Sequence, residues 1–120
     1  MRVEKIGIIT KAVIEILKLD IKENSPIFVS DGNYKHMCDK HPKDFEKYYM
    51  HIPEIIRVPN YVGINPKDSS LEYVKEFKIN DEFVKVAIRV SGHGIFFMRS
   101  MYMFEDAIKF IKKGRLKKID

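Results

Sequence analysis

The sequence predicts an α+β protein in which N-terminal helices pack on one face of a four-stranded antiparallel sheet, and a C-terminal helix follows the sheet. Apolar residues recur at helical spacing in the first half of the chain, whereas alternation at every second residue begins at Tyr61. Short polar loops separate the long alternating segments, so consecutive strands should be antiparallel neighbours. Apart from one short strand at residues 26–29 and a last helix, the helical segments precede the strands, as is typical of α+β folds.

The first predicted element is a helix over residues 8–19. A polar segment, Asp20–Ser25, ends it, and the apolar run Pro26–Val29 that follows has the composition of a short strand. Proline at the start of this run is typical of an edge strand. The helix is predicted from an apolar stripe made of Ile8, Ile9, Ala12, Val13, Ile16 and Leu17.

Helical segments delimited by prolines come next. Ser30 or Asp31 caps the first of them. Pro42 disfavours helical geometry at His41 and can itself begin the following helix. The predicted bounds are about residues 32–40 and 42–51, with one more short turn at residues 53–56.

Four strands and a last helix fill the remainder of the chain. Residues 80–82 and 92–94 form the two hairpin loops. The last helix covers residues 104–113 and stops at Gly114, and residues 115–120 form a basic tail. The predicted strands are Tyr61–Ile64, Leu71–Ile79, Phe83–Ser91 and Ile95–Tyr102.

The two loops also predict which residues face each other. If both loops contain three residues, Arg89 lies opposite Tyr73 on one side and Phe97 on the other, and Phe77 lies opposite Lys85. Odd-numbered positions then share the free face of the sheet. A solvated sheet face often carries Lys and Arg, so simple exposure is the alternative explanation, and a one-residue slip would change the arrangement. The predicted free face carries Tyr73, Lys75, Lys85, Arg89 and Arg99.

Length and charge restrict the classes of function. The 120 residues fit one domain, residues 1–120. A net charge of +5 favours an anionic partner such as nucleic acid, although many small basic proteins bind none. No apolar run approaches the roughly 18 residues of a membrane span, and no signal peptide is visible. We therefore expect no membrane association and a cytoplasmic location.

His36 and His41 are the candidate proton-transfer groups, because histidine titrates near neutral pH. His41 precedes a proline at a helix junction, so a capping role is the alternative for it. Zinc is not expected, because the spacing of the two histidines is wrong for one helical face and Cys38 is the only cysteine. No other cofactor is predicted either.

Several segments together resemble the phage-associated nuclease-like domains of the Barnase-EndoU-Colicin-RelE fold, and the resemblance covers nearly the whole chain. It implies N-terminal helices on a four-stranded antiparallel sheet, metal-independent RNA cleavage, and an origin in phages, prophages or mobile elements. The segments are Ser30-Asp31, Lys35-His36, Lys40-His41-Pro42, Asp44-Phe45-Glu46, residues 52–56, residues 59–63, residues 65–68, residues 86–91, residues 97–102 and residues 113–116.

The resemblance also implies roles for individual residues. His36 is the leading general acid or base, and His41 is its proton partner or a structural residue. Arg89 and Arg99 bind the scissile phosphate. Ser100 contacts phosphate as well, but the predicted register puts it on the covered face, so that contact requires a β-bulge. Tyr73 joins the catalytic candidates from the predicted strand pairing and not from the family.

Three functions are compatible with these residues. The first is a ribonuclease, of toxin type for example, that acts on RNA such as tRNA, leaves a 2′,3′-cyclic phosphate and has a cognate inhibitor protein as a candidate partner. The second is an inactive module that binds RNA or an acidic protein, and the third is a phage structural or regulatory protein with a borrowed fold. Convergence of His36, Arg89 and Arg99 on one cleft would favour the first. The predicted nucleic-acid contacts are Lys75, Lys85, Arg115 and Lys117, with a frayed basic tail as the alternative for the last two.

Overall fold

The computed structural model describes residues 2–119 and contains one mixed sheet of seven strands. The order across the sheet is β1-β2-β6-β5-β4-β3-β7. Strands β2 and β6 run parallel, and the other neighbouring pairs among the described residues are antiparallel. The strands are β1 Val3–Ile9, β2 Ser25–Ser30, β3 Tyr61–Ile64, β4 Leu71–Phe77, β5 Glu82–Val90, β6 Phe96–Met103 and β7 Leu116–Lys118.

The predicted four-stranded antiparallel sheet is therefore wrong. The four predicted strands are neighbours, but the sheet continues through β2 and β1 beyond β6, and through β7 beyond β3. Strand β2 is not an edge strand, because it pairs with both β1 and β6. Pro26 lies at its beginning, ahead of Ile27 and Phe28, which pair with β6.

The predicted first helix is wrong in its first turn. Residues 3–9 form β1, and helix α1 covers Lys11–Leu17. Thr10 separates the two elements, because its backbone is extended and its hydroxyl accepts the N–H of Val13 at 3.4 Å. Ile9 is fully buried as the last residue of the strand. Adjacent isoleucines fit a helical stripe and a buried strand equally well, and the cap decides between the two.

The expected basic tail is also partly ordered. Leu116 is buried, and its strand pairs with β3. Gly63 of β3 allows this close approach, because a Cβ atom at that position would lie 2.6 Å from the carbonyl oxygen of Arg115. The seventh strand therefore has a single buried side chain, Leu116, between cationic residues.

The remaining helices follow the predicted capping signals. Ser30 and Asn33 form a capping box at the start of α2, with the Asn33 N–H donating to Ser30 Oγ at 3.0 Å and the Ser30 N–H donating to Asn33 Oδ1 at 2.9 Å. Pro42 lies in the first turn of α3, as predicted. No helix in residues 2–119 has both the length and the apolar character needed to cross a bilayer. The helices are α2 Asp31–Lys40, α3 Pro42–Tyr48, α4 Ile52–Arg57 and α5 Ala107–Lys112, with a 3-10 turn at Tyr49–His51.

Helices α1 to α4 cover one face of the sheet, and we call the opposite side the open face. The covered face contributes Tyr73, Val86 and Met98 to the main core. Helix α5 packs on the open face at one end only, where Val74 and Leu116 form a smaller cluster with Phe104 and Ala107. The helical residues of the main core are Val13, Met37, Tyr48, Ile52, Ile55 and Ile56.

The pairing of β4 with β5 differs from the prediction. Tyr73 faces Val86 and not Arg89, and Phe77 faces Glu82 and not Lys85. The turn between the strands contains residues 78–81 rather than 80–82, and Asp81 adopts a left-handed φ of 54° within it. Even-numbered residues of β4 therefore share a face with odd-numbered residues of β5. This difference moves Tyr73 into the core and brings Glu72 to the open face.

The pairing of β5 with β6 is closer to the prediction. Arg89 faces Phe97, as predicted. The register then shifts between Ala87 and Ile88, because Ile88 pairs with Met98 while Ala87 pairs with Ser100. Arg99 is the extra residue of this β-bulge. The bulge turns Ser100 to the open face, which is the condition that its predicted role requires.

Candidate active site

A row of three paired residues crosses the open face. Glu72 of β4, Ala87 of β5 and Ser100 of β6 are paired neighbours and therefore lie side by side. In the next row, Lys85 of β5 lies beside Tyr102 of β6. Because Ala87 and Ser100 have short side chains, the longer side chains around them enclose a shallow depression. We call the surface over Ala87 and Ser100 the floor.

Glu72 is the centre of a buried ion cluster. Its side chain is 1% exposed, and Lys85 Nζ lies 2.9 Å from Oε2. The guanidinium of Arg115 donates to both carboxylate oxygens, at 2.9 Å to Oε1 and 2.8 Å to Oε2. One carboxylate thus balances two cations, which leaves an excess positive charge on the open face. We call Glu72, Lys85 and Arg115 the Glu72 cluster.

An imidazole reaches the same face from the junction of α2 and α3. The ring of His41 stacks on Tyr102, with centroids 4.9 Å apart and an interplanar angle of 27°. Lys85 Nζ lies 5.0 Å from the centroid of the Tyr102 ring, so contacts run from His41 through Tyr102 to the Glu72 cluster. The His41 side chain makes no capping hydrogen bond to α3, which argues against the capping alternative.

Arg89 and Ser100 border this arrangement, and Arg99 lies farther out. Arg89 is exposed on the same face of β5 as Lys85. The pKa of Asp68 lies below its usual range, chiefly through hydrogen bonds from Ser70 and in smaller part through the charges of Arg89 and Lys85. Arg99 is exposed and lines a groove with Val3, Ser30, Asn33 and Phe97.

His36 is not brought into the Glu72 cluster. It is exposed on α2, one turn after Asn33, and makes none of the contacts that connect His41, Tyr102 and Lys85. The convergence of His36, Arg89 and Arg99 therefore stays a prediction. In the described part of the chain, no three or more His, Cys, Asp and Glu side chains are grouped so that they could hold a metal ion.

The other predicted contacts are dispersed. Tyr73 is fully buried on the covered face, and burial raises the pKa of its hydroxyl, which has no hydrogen-bond partner. Its predicted position beside Arg89 was wrong, and it cannot touch a substrate on the open face. Lys75 donates to the carbonyl oxygen of Val58 at 2.9 Å. Lys117 is exposed on β7, opposite the core residue Val62.

Glu72 itself was missed at the level of sequence, and so was the ring of Tyr102. The signal for Glu72 was present, because strands are depleted in Glu and Leu71-Glu72-Tyr73-Val74 is otherwise apolar. The predicted register placed this carboxylate on the covered core face with no cation beside it. An unpaired charge there is costly enough to indicate a register error.

The chain matches a family model over residues 4–110, and that model describes a phage-Barnase-EndoU-ColicinE5/D-RelE like nuclease3. The protein is therefore of nuclease type, as the resemblance implied. It belongs to the phage-Barnase-EndoU-ColicinE5/D-RelE like nuclease3 family. Comparison with curated proteins and with solved structures finds no match. The matched range includes His41, Glu72, Lys85 and Ser100, whereas Arg115 lies beyond it.

Proposed function

We propose that this nuclease-type protein is a metal-independent endoribonuclease whose active site combines the Glu72 cluster with His41. The observation that carries the proposal is the grouping of one buried carboxylate, two cations and an accessible imidazole on one open sheet face. Transphosphorylation of RNA requires a proton acceptor, a proton donor and positive charge around the phosphate. These side chains supply all three.

In the proposed reaction, a bound phosphate draws Lys85 and Arg115 off the buried carboxylate of Glu72, which then accepts the proton of the ribose 2′-hydroxyl. The 2′-oxygen then forms a bond to phosphorus, and the bond from phosphorus to the 5′-oxygen breaks. Protonated His41 donates a proton to that leaving oxygen. The products are a 2′,3′-cyclic phosphate and a 5′-hydroxyl, so the proton taken from one oxygen is balanced by the proton given to the other.

Lys85 and Arg115 stabilise the negative charge that develops on the phosphorane. In the free protein both cations bind Glu72, and a bound phosphate competes for their N–H donors. The guanidinium of Arg115 presents a planar pair of donors that matches phosphate oxygens as well as it matches a carboxylate. Arg89 and Ser100 border the floor, and the proposal assigns them to the same phosphate.

The first prediction concerns Glu72→Gln, which keeps the shape of the side chain but removes the proton acceptor. We expect cleavage of labelled tRNA and mixed RNA, measured with excess EDTA, to fall by about 100-fold or more. RNA binding should persist, because the two cations remain. Circular dichroism would establish that the variant is folded.

Glu76→Gln is the matched control, because Glu76 lies four residues farther along β4 on the same face. It should cleave RNA like the parent protein. If the parent does not cleave RNA, or if Glu72→Gln cleaves as fast as Glu76→Gln, the proposal is wrong. Binding of RNA by a parent protein that cleaves none would favour the alternative of an inactive binding module.

A further inference from the structure

The open face continues beyond the Glu72 cluster as a single row of side chains across four strands. Arg89 of β5 pairs with Phe97 of β6, Phe97 pairs with Phe28 of β2, and Phe28 pairs with Lys5 of β1. Paired residues point to the same side of a sheet, so these four side chains form one line. We call Lys5, Phe28, Phe97 and Arg89 the cross-sheet row.

The two rings of this row are not part of the hydrophobic core. Phe28 and Phe97 are partly exposed, and neither belongs to a buried cluster among the described residues. Their centroids lie 6.2 Å apart at an angle of 47°. Helix α5 covers the other end of the open face, next to Val74 and Leu116, and so leaves these rings accessible to a ligand.

Positive charges flank the rings. Lys5 and Arg89 are exposed at the two ends of the row, and three strand spacings of about 4.8 Å place them roughly 14 Å apart. Exposed Arg99 lines the groove beside Phe97. A pair of accessible aromatic rings between cations is the combination that binds unpaired bases and their phosphates.

The row also adjoins the proposed active site. Arg89 lies two residues from Ala87 on the same face of β5, a distance of about 7 Å along a strand. A chain that is bound on the row and passes Arg89 therefore reaches the floor beside Glu72.

We infer that the cross-sheet row is a binding platform for single-stranded RNA, on which Phe28 and Phe97 stack with bases while Lys5 and Arg89 contact phosphates. A duplex is excluded as the ligand, because its bases are stacked on each other and do not offer their faces to the protein. The course of the bound RNA towards Glu72 rests on the proposed function, whereas the binding of RNA to the cross-sheet row does not.

The test measures binding of a fluorescent, fully 2′-O-methylated single-stranded octamer, which cannot be cleaved through a 2′-hydroxyl. Phe28→Leu and Phe97→Leu keep an apolar side chain but remove the stacking surface, and each should weaken binding roughly tenfold. Phe83→Leu is the matched control, because Phe83 is a partly exposed phenylalanine on β5 that packs near α5. It should bind like the parent.

Lys5→Gln should reduce the slope of log Kd against log salt by about 0.7, the value for one phosphate contact on a single strand. Lys22→Gln, which changes an exposed lysine in the turn before β2, should leave the slope unchanged. A blunt duplex of the same sequence should compete weakly. The inference is overturned if the duplex competes as well as the single strand, or if both leucine variants bind like Phe83→Leu.

Failure of this inference is distinguishable from failure of the proposed function. Row-dependent binding of the octamer by a protein that cleaves no RNA would support the platform and reject the nuclease proposal. The opposite result is cleavage that depends on Glu72 together with an octamer affinity that neither leucine substitution changes. It would support the nuclease proposal and reject the platform. If the row variants lose affinity for an acidic inhibitor protein and not for RNA, the face binds protein and the inference is wrong.

Discussion

At the scale of single residues, Glu72 is the group whose burial most needs an explanation. Taking a carboxylate and two cations out of water costs several kcal/mol per ion before their mutual attraction is counted. Buried ion clusters are therefore weak evidence for stability, and apolar replacements of similar volume are often equally stable. Under the proposed function, the chemistry of the phosphate accounts for the presence of Glu72, Lys85 and Arg115 in the sheet.

The two candidate histidines give the second prediction. His41→Ala should lower RNA cleavage by about 10²- to 10⁴-fold, because it removes the proposed proton donor. His36→Ala should stay close to the parent rate, since His36 is exposed on α2 and away from the contacts of Tyr102. Initial rates on one labelled RNA substrate provide the measurement.

Tyr102→Phe keeps the ring on which His41 stacks and should retain most of the activity. The opposite ranking, with loss of cleavage in His36→Ala and not in His41→Ala, would favour the sequence-based assignment of His36 as the leading acid or base. It would also mean that the stacked imidazole has a structural role.

Tyr73 gives the third prediction. Its buried hydroxyl has no hydrogen-bond partner, so Tyr73→Phe should raise the free energy of unfolding by about 1 kcal/mol and leave RNA cleavage unchanged. Burial also raises the pKa of Tyr73. The protein therefore pays no penalty for keeping this hydroxyl protonated below the unfolded pKa of about 10, and it loses stability as the pH rises from there towards the folded pKa.

Urea denaturation at pH 7 and at alkaline pH measures both effects. The parent should lose stability above pH 10 faster than the phenylalanine variant does. Tyr49→Phe, which changes an exposed tyrosine, is the control and should not alter this dependence. A loss of cleavage in Tyr73→Phe would contradict its placement in the core.

At the scale of elements, β7 is the strand that carries Arg115 to the Glu72 cluster. The pairing of Leu116 with Gly63 fixes its position. The fourth prediction is that Gly63→Ala destabilises this pairing, because the new methyl group would lie 2.6 Å from the Arg115 carbonyl oxygen and 3.0 Å from Leu116 Cδ2. Overpacking of this kind costs about 1–3 kcal/mol.

We expect a lower free energy of unfolding for Gly63→Ala in urea, together with reduced cleavage, since Arg115 moves with the strand. Gly92→Ala is the control, because no atom lies within 4 Å of a Cβ built there and Gly92 does not require a positive φ. Equal stability of the two variants would show that β7 does not need the glycine.

At the scale of the whole molecule, the two sides of the sheet differ in composition and burial. The covered face supplies the main core, and the open face carries the Glu72 cluster at its centre and the cross-sheet row beside it. A contact between the covering helices and the sheet gives a prediction about the response to acid. The Lys47 ammonium and the Tyr48 hydroxyl, both on α3, donate to Glu82 at the start of β5 at 2.6 and 2.5 Å.

The fifth prediction follows from these hydrogen bonds, which hold the pKa of Glu82 below its usual range. The hydrogen bond from Lys47 has the larger effect, followed by the one from Tyr48. A depressed folded-state pKa stabilises the protein above the unfolded value of about 4.3, and this stability is lost as the pH falls through the folded value. Glu82→Gln should therefore lower the Tm at pH 7 and make less difference near pH 3.

Thermal melts followed by circular dichroism across this pH range test the prediction. Glu46→Gln, which changes an exposed glutamate on α3, should melt like the parent at every pH. A Tm difference between Glu82→Gln and the parent that does not change with pH would mean that the ionisation of Glu82 is not involved.

The sequence by itself determined the features that depend on a few neighbouring residues. A cap at Ser30 or Asp31, Pro42 in the first turn of α3 and the strand Tyr61–Ile64 were predicted from local signals and are confirmed, with Ser30 as the cap. The family, predicted from segments along nearly the whole chain, is confirmed as well. The pairing of Arg89 with Phe97 was also predicted, because one short loop sets it.

Only the tertiary structure decided which side chains meet on the open face. Because the turn between β4 and β5 is longer than predicted, Glu72 lies on the open face in place of Tyr73. The bulge at Arg99 turns Ser100 to the same face. Arg115 reaches Glu72 from 43 residues farther along the chain. The physical reason is that strand register minimises the cost of burial across the entire sheet, and a shift of one residue exchanges every side chain between the core and the surface.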